Sequence, residues 1–94
     1  MKIAINVCFG GFSLSEQALA RYAELADKSG FVAFENIRDD PHLIQTIEEL
    51  GTKCNTRYSE IRIVEIPDNV EWEIMEYDGT EYIAEKHRKW YAPE

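Results

Sequence analysis

The pair Asp78-Gly79 constrains the fold of this chain more than any other short feature. It separates two β-rich runs, and an Asp-Gly pair in that setting is the strongest local signal for a two-residue hairpin turn. Such a turn fixes the register of both strands. The predicted cross-strand pairs are Tyr77 with Thr80, Met75 with Tyr82, Glu73 with Ala84, Glu76 with Glu81 and Glu71 with Lys86.

The two faces of this predicted hairpin differ in polarity. Alternation places Val70, Trp72, Ile74 and Ile83 together, and this apolar face is the one predicted to be buried. For Glu76 and Glu81, near the turn, we expect a solvated acidic tip.

The remaining sequence predicts two helices and three more strands. Asp40-Pro41 is a strong helix start, and Ser15 is a suitable N-cap. The predicted strands are 2–8, 31–37 and 61–67, and the predicted helices are 15–29, closed by Gly30, and 41–50, closed by Gly51. This order predicts an α+β fold in a single domain, residues 1–94, with a small, mainly antiparallel sheet, two helices and a C-terminal β-hairpin.

Composition narrows the classes of partner. The 94 residues include 18 acidic and 10 basic side chains, a net charge of −8, which argues against binding duplex nucleic acid. A small anionic ligand needs only a few placed cations and stays open. No segment has the apolar length of a membrane span, and the N-terminus resembles a first strand more than a signal peptide, so we expect no membrane association and a cytoplasmic protein.

Catalytic and metal-binding patterns are weak. Cys8 and Cys54 are expected to be free thiols, and neither pairs with His42 or His87 at a zinc-like spacing. We therefore expect no metal, no cofactor and no enzyme activity. A hydrolase that uses Cys8 or His87 is a minor alternative.

A glycine loop follows the first predicted strand. Gly10 and Gly11 precede a helix start, a position in which backbone N–H groups can face a phosphate. The loop lacks the spacing of a dinucleotide fingerprint and the lysine of a P-loop. The competing interpretation is a tight turn flanked by Phe9 and Phe12 as apolar anchors.

The segment 85–91, EKHRKWY, concentrates cations and aromatics in an acidic chain. Arginine binds phosphate through a planar fork and aromatic rings stack on bases, so Arg88, His87 and Trp90 suit a phosphorylated nucleotide. The alternative is a strand end whose cations balance Glu71, Glu73 and Glu85.

The chain resembles a small tailed-phage protein family. The similarity rests on INVCFGGFSLS at the start, RDDP at residues 38–41 and VEWEIMEYDGTEYIAEKHRKW at the end, which with the short connecting elements cover nearly the whole chain. This family is identified as the phage anti-Thoeris sponges, which sequester cyclic ADP-ribose signals made by bacterial TIR proteins.

That resemblance implies a non-enzymatic binder in the cytoplasm of the infected bacterial host. It implies a homo-oligomer, a dimer or hexamer, with a cyclic nucleotide held between subunits and, in some members, cyclic oligonucleotides at a separate site. Arg38 and Arg88 match the family's ligand-facing arginines. The full set of candidate ligand-binding residues is Arg38, Arg88, Phe9, Gly10, Gly11, Phe12, His87 and Trp90.

The net charge of −8 supports a competing hypothesis. An acidic surface can occupy the basic surface of another protein. On that hypothesis the chain inhibits a host defence or DNA-binding protein by direct protein–protein interaction.

Overall fold

The computed structural model describes residues 1–27 and 32–85. Within them the chain forms an α+β fold with two α-helices and two antiparallel two-stranded sheets. The α-helices and strands are β1 (Lys2–Asn6), α1 (Glu16–Ala26), α2 (Pro41–Leu50), β2 (Ile61–Glu65), β3 (Trp72–Tyr77) and β4 (Thr80–Glu85). Short 3₁₀ turns occupy Phe34–Asn36 and Gly51–Cys54.

Strands β1 and β2 pair along their whole length, from Lys2 opposite Glu65 to Asn6 opposite Ile61. Strand β1 is shorter than predicted because the Asn6 side chain bonds the backbone of Cys8, accepting from its N–H and donating to its carbonyl, and this turns the chain. Four consecutive residues of β1 are buried, from Ile3 to Asn6. Both faces of this strand are therefore covered, whereas the alternating pattern had indicated one apolar face.

Helix α1 begins where predicted and ends early. Ser15 is the N-cap, and its Oγ accepts a hydrogen bond from the Ala18 N–H at 3.2 Å. The helix closes at Asp27, which has a left-handed backbone at φ 52°. The prediction of a helix reaching Ser29 with Gly30 as its cap was wrong, because Asp tolerates this conformation and ends the helix first.

The strand predicted at 31–37 is not formed in its described part. Phe34–Asn36 make a 3₁₀ turn instead. The turn brings the Phe34 carbonyl within 3.1 Å of Arg38 Nε, which donates to it. Branched and aromatic residues here pack against the core from a turn, so their strand preference was overridden by tertiary contacts.

Helix α2 confirms its prediction at both ends. Asp40 Oδ1 accepts from the His42 N–H at 2.9 Å, Pro41 occupies the first helical position, and Gly51 closes the helix. Its buried residues are Leu43, Ile44, Thr46 and Ile47. Leu43, Ile44 and Ile47 pack in one core with Ala18 and Tyr22 of α1 and with Ala4 and Ile61 of the first sheet.

The hairpin of β3 and β4 has the predicted register, including Tyr77 opposite Thr80 and Glu76 opposite Glu81. Asp78 and Gly79 both have positive φ, 53° and 85°, as the two-residue turn requires. Trp72, Ile74 and Ile83 are half-buried, and on the other face the aromatic and thioether side chains are exposed. Those exposed side chains are Met75, Tyr77 and Tyr82.

No helix in residues 1–27 and 32–85 is long and apolar enough to cross a membrane.

Candidate functional site

Arg38 is the centre of the candidate site. It is only 5% exposed, although RDDP was expected to present it to a ligand. Nη1 donates to Glu81 Oε1 at 2.7 Å and Nη2 donates to Glu81 Oε2 at 2.9 Å, a two-point ion pair. Nη1 also donates to the Ala4 carbonyl at 3.2 Å. The guanidinium is therefore held by hydrogen bonds to the turn, the first strand and the hairpin.

Glu81 corrects the expectation of a solvated hairpin tip. Its side chain is 10% exposed, and besides Arg38 its Oε1 accepts the backbone N–H of Asn6 at 2.8 Å. Its cross-strand neighbour Glu76 does remain exposed. An uncompensated carboxylate at this depth would be costly, and Arg38 supplies the compensating charge.

Arg38 and Glu81 together complete the free edge of β1. The Ala4 N–H donates to the Arg38 carbonyl at 2.8 Å, the Ala4 carbonyl accepts from Arg38 Nη1, and the Asn6 N–H donates to Glu81. Two side chains and one backbone carbonyl thus take the place of a third strand. This arrangement satisfies backbone groups that an edge strand otherwise leaves unpaired.

Asn6 fixes the hairpin tip against the first sheet. It is fully buried, and its Nδ2 donates to the Gly79 carbonyl at 3.0 Å. Its Oδ1 accepts from the Glu60 N–H at 2.9 Å. Asn6 therefore links the turn of the hairpin to the segment that leads into β2.

A cleft of about 700 Å³ lies beside this ion pair. Helix α1 contributes Leu19, Tyr22 and Ala23, while Phe12 comes from the glycine loop and Phe34 from the 3₁₀ turn. Its size lies in the range of small-molecule sites, which are mostly apolar with a few placed polar groups.

The aromatic walls of the cleft contact one another. The rings of Tyr22 and Phe34 are 5.1 Å apart at 70°, and those of Phe12 and Phe34 are 6.1 Å apart at 41°. The Arg38 Cζ lies 3.9 Å from the centroid of the Phe12 ring. One face of Phe12 is thus occupied by a cation, which holds the ring in place.

Tyr22 joins the cleft to the start of α2. Its hydroxyl donates to Asp40 Oδ2 at 2.6 Å. Burial, together with the neighbouring Asp40 carboxylate, raises the pKa of Tyr22 to about 12. The phenol therefore stays protonated and acts as a fixed donor.

The cleft is acidic in balance. Among the described residues that line it, Glu35, Glu76 and Glu81 stand against one cation, Arg38. Glu81 is neutralised by Arg38, while Glu35 and Glu76 make no hydrogen bond or ion pair with the residues that the structure describes. Two acceptors are consequently left for a bound molecule.

The residues of the glycine loop divide between the cleft and the surface. Phe12 and Gly11 line the cleft, whereas Phe9 is 71% exposed. Gly10 packs so closely on Tyr58 that a Cβ there would collide with its backbone. Glycine at position 10 thus allows a close approach of the loop to Tyr58.

The C-terminal candidates Arg88, His87 and Trp90 lie outside the described residues, as does the predicted pairing of Glu71 with Lys86. Both cysteines are free thiols, Cys54 buried and Cys8 half-buried. Across residues 1–27 and 32–85, no group of three or more His, Cys, Asp or Glu side chains is arranged to hold a metal ion.

Sequence reasoning missed Glu81, Tyr22 and Phe34 as members of this site. Tyr22 was predicted only as part of the helix 15–29, and Phe34 as part of the strand 31–37. The residues next to Glu81 in the sequence do not show that its charge is buried, because its partner Arg38 is 43 positions away.

Neither a protein-family model, nor a curated protein, nor a solved structure matches this chain.

Proposed function

We propose that the protein is a non-enzymatic binder that sequesters a cyclic nucleotide immune signal, of the cyclic ADP-ribose type, inside the host cell cytoplasm. The observation that carries the proposal is the cleft of about 700 Å³ with three aromatic side chains in its walls. Rings of this kind stack on a nucleobase. The resemblance to the phage sponges supplies the biological role.

Arg38 has a positioning role in this proposal. Its charge is neutralised by Glu81 and its Cζ lies over the Phe12 ring, so it orients the ring that would contact a base. Contacts to phosphate are assigned to Arg88, with His87 and Trp90 beside it, all outside the described residues. The glycine loop contributes Phe12 and Gly11 to the same cleft.

Assembly into a dimer or hexamer is part of the proposal. Met75, Tyr77 and Tyr82 are exposed on one face of the hairpin, with Tyr77 76% and Tyr82 52% accessible. Contiguous apolar surface of this kind is typical of an interaction site. Light scattering during gel filtration measures the assembly, and a monomer at all concentrations contradicts this part.

The test of sequestration is calorimetric titration with a panel of cyclic ADP-ribose isomers and cyclic oligonucleotides. The bound molecule is then recovered by heat denaturation and identified by chromatography. Tight binding with the ligand recovered intact is the expected result. Recovery of an altered nucleotide contradicts sequestration and supports a hydrolase.

A second candidate function is inhibition of a host protein. The same exposed hairpin face, in a chain of net charge −8, favours a basic protein partner. This function predicts binding to a host protein that weakens as salt is raised, and no binding of any nucleotide in the panel.

A further inference from the structure

The carboxylates of Glu35 and Glu76, which line the cleft, indicate whether the nucleoside part or the phosphates of a nucleotide enter it. We propose that the cleft takes the nucleoside end, with Glu76 accepting hydrogen bonds from the two hydroxyls of a ribose, and that the phosphates stay outside. The inference rests on the proposed function and names the part of the ligand that this site recognises.

Arg38 has too few free N–H groups to bind a phosphate in the cleft. A guanidinium has five N–H bonds. Four of those on Arg38 are used, by the carbonyls of Phe34 and Ala4 and by both oxygens of Glu81. A phosphate would find one spare N–H on a cation whose charge is already balanced, beside the carboxylates of Glu35 and Glu76, which have no partner among the described residues.

The same carboxylates suit a ligand that donates hydrogen bonds. Glu76 lies directly across the hairpin from Glu81, and like charges in that position are unfavourable unless something separates or neutralises them. Arg38 compensates Glu81 alone. Glu76 faces the cleft with both oxygens free of described partners, so it can accept two hydroxyls at once.

A carboxylate that accepts from ribose hydroxyls is a recurrent solution in nucleotide sites. Here the apolar walls formed by Phe12, Phe34 and Leu19 would hold the base, and Glu76 at the hairpin end of the cleft would hold the sugar. Glu76 is therefore a specificity-determining residue for a ligand with a free cis-diol.

The experiment titrates adenosine, 2′-deoxyadenosine and inorganic phosphate into the wild-type protein and two variants. Glu76→Gln removes the charge that accepts the hydroxyls. Glu73→Gln is the matched control, because Glu73 lies on the same strand but its side chain belongs to the opposite face. A hydrogen bond to a charged group is worth about tenfold or more in affinity.

The expected result is that wild type and Glu73→Gln bind adenosine about tenfold more tightly than 2′-deoxyadenosine. Glu76→Gln, which keeps a neutral acceptor oxygen but loses the charge, is expected to discriminate clearly less between the two nucleosides, and inorganic phosphate should not displace adenosine. Equal binding of both nucleosides by wild type, displacement by phosphate, or unchanged discrimination in Glu76→Gln overturns the inference.

The two proposals fail in different ways. If a cyclic nucleotide of the panel binds and adenosine does not, the nucleoside end is not what the cleft recognises, and the sequestration proposal survives. If neither adenosine nor any member of the panel binds, sequestration itself is contradicted, and this inference with it.

Discussion

Arg38 and Glu81, 43 positions apart in sequence, form a two-point ion pair that joins the 3₁₀ turn, the first strand and the hairpin tip. The pair also completes the hydrogen bonding of the β1 edge, through the Arg38 carbonyl and Glu81 Oε1. Because the same two side chains line the cleft, the stability of the fold and the shape of the candidate site depend on one contact.

Removing either partner of this pair should strongly destabilise the protein. Arg38→Met leaves Glu81 buried without its cation, and Glu81→Leu leaves the guanidinium uncompensated. Each is expected to lower the free energy of unfolding by roughly 3–5 kcal/mol.

A double-mutant cycle separates the pair from its surroundings. In urea unfolding, the double variant should cost at least about 1 kcal/mol less than the two single changes added together, since neither charge is then left alone. Additive costs would show that the two side chains act independently.

The hairpin turn should be far less tolerant of a side chain than the end of α2. Gly79 and Gly51 both have positive φ, 85° and 56°. Ala at Gly51 meets open space, but its backbone, at φ 56° and ψ −126°, lies outside the left-handed helical region and is expected to cost about 1–3 kcal/mol. At Gly79 a Cβ also collides with the Phe9 backbone, so Gly79→Ala should cost clearly more.

Thermal unfolding of the two variants measures this difference. A Gly79→Ala protein as stable as Gly51→Ala would mean that the loop at Phe9 and the hairpin tip are not held against each other.

A feature of the fold could be predicted from the sequence when it depends on neighbouring residues, and could not when it depends on residues far apart in the chain. The hairpin register and helix α2 were predicted because Asp78-Gly79 and Asp40-Pro41 act through neighbouring residues. The prediction of a strand near Phe34 was wrong because the chain makes a turn there. Arg38 donates a hydrogen bond to the Phe34 carbonyl of that turn and is itself bound to Glu81, which is distant in sequence. Neighbouring residues were enough to predict the hairpin and helix α2. The cleft could not be predicted, because the residues that line it are far apart in sequence and meet only in the folded chain.

Tyr22 should make stability depend on pH in the alkaline range. Its pKa is raised from 10.0 to about 12, so the folded state favours the neutral phenol. The resulting stabilisation is complete below pH 10 and is lost as pH rises from 10 to about 12, since the unfolded chain releases this proton first.

Tyr22→Phe isolates this effect. At pH 7 the variant should be less stable than wild type by about 1–2 kcal/mol, because the bond to Asp40 is lost. In urea unfolding from pH 9 to 12 the difference between the two proteins should shrink. A difference that is constant across this range contradicts the assignment.

The two thiols should react very differently. Cys54 is fully buried and burial raises its pKa, whereas Cys8 is half-buried in the glycine loop. Brief treatment of the native protein with iodoacetamide should modify Cys8 and leave Cys54 intact, as read by peptide mass spectrometry. Equal modification of the native protein would contradict the burial of Cys54.

The most direct test of the central claim is whether filling the cleft abolishes nucleotide binding. Ala23 lines the cleft and Ala20 is exposed on the same helix outside it, so Ala23→Phe and Ala20→Phe are matched changes. Calorimetry with the tightest-binding cyclic nucleotide should show loss of at least about 100-fold in affinity, near 3 kcal/mol, for Ala23→Phe alone. Wild-type affinity in a folded Ala23→Phe protein would place the ligand elsewhere.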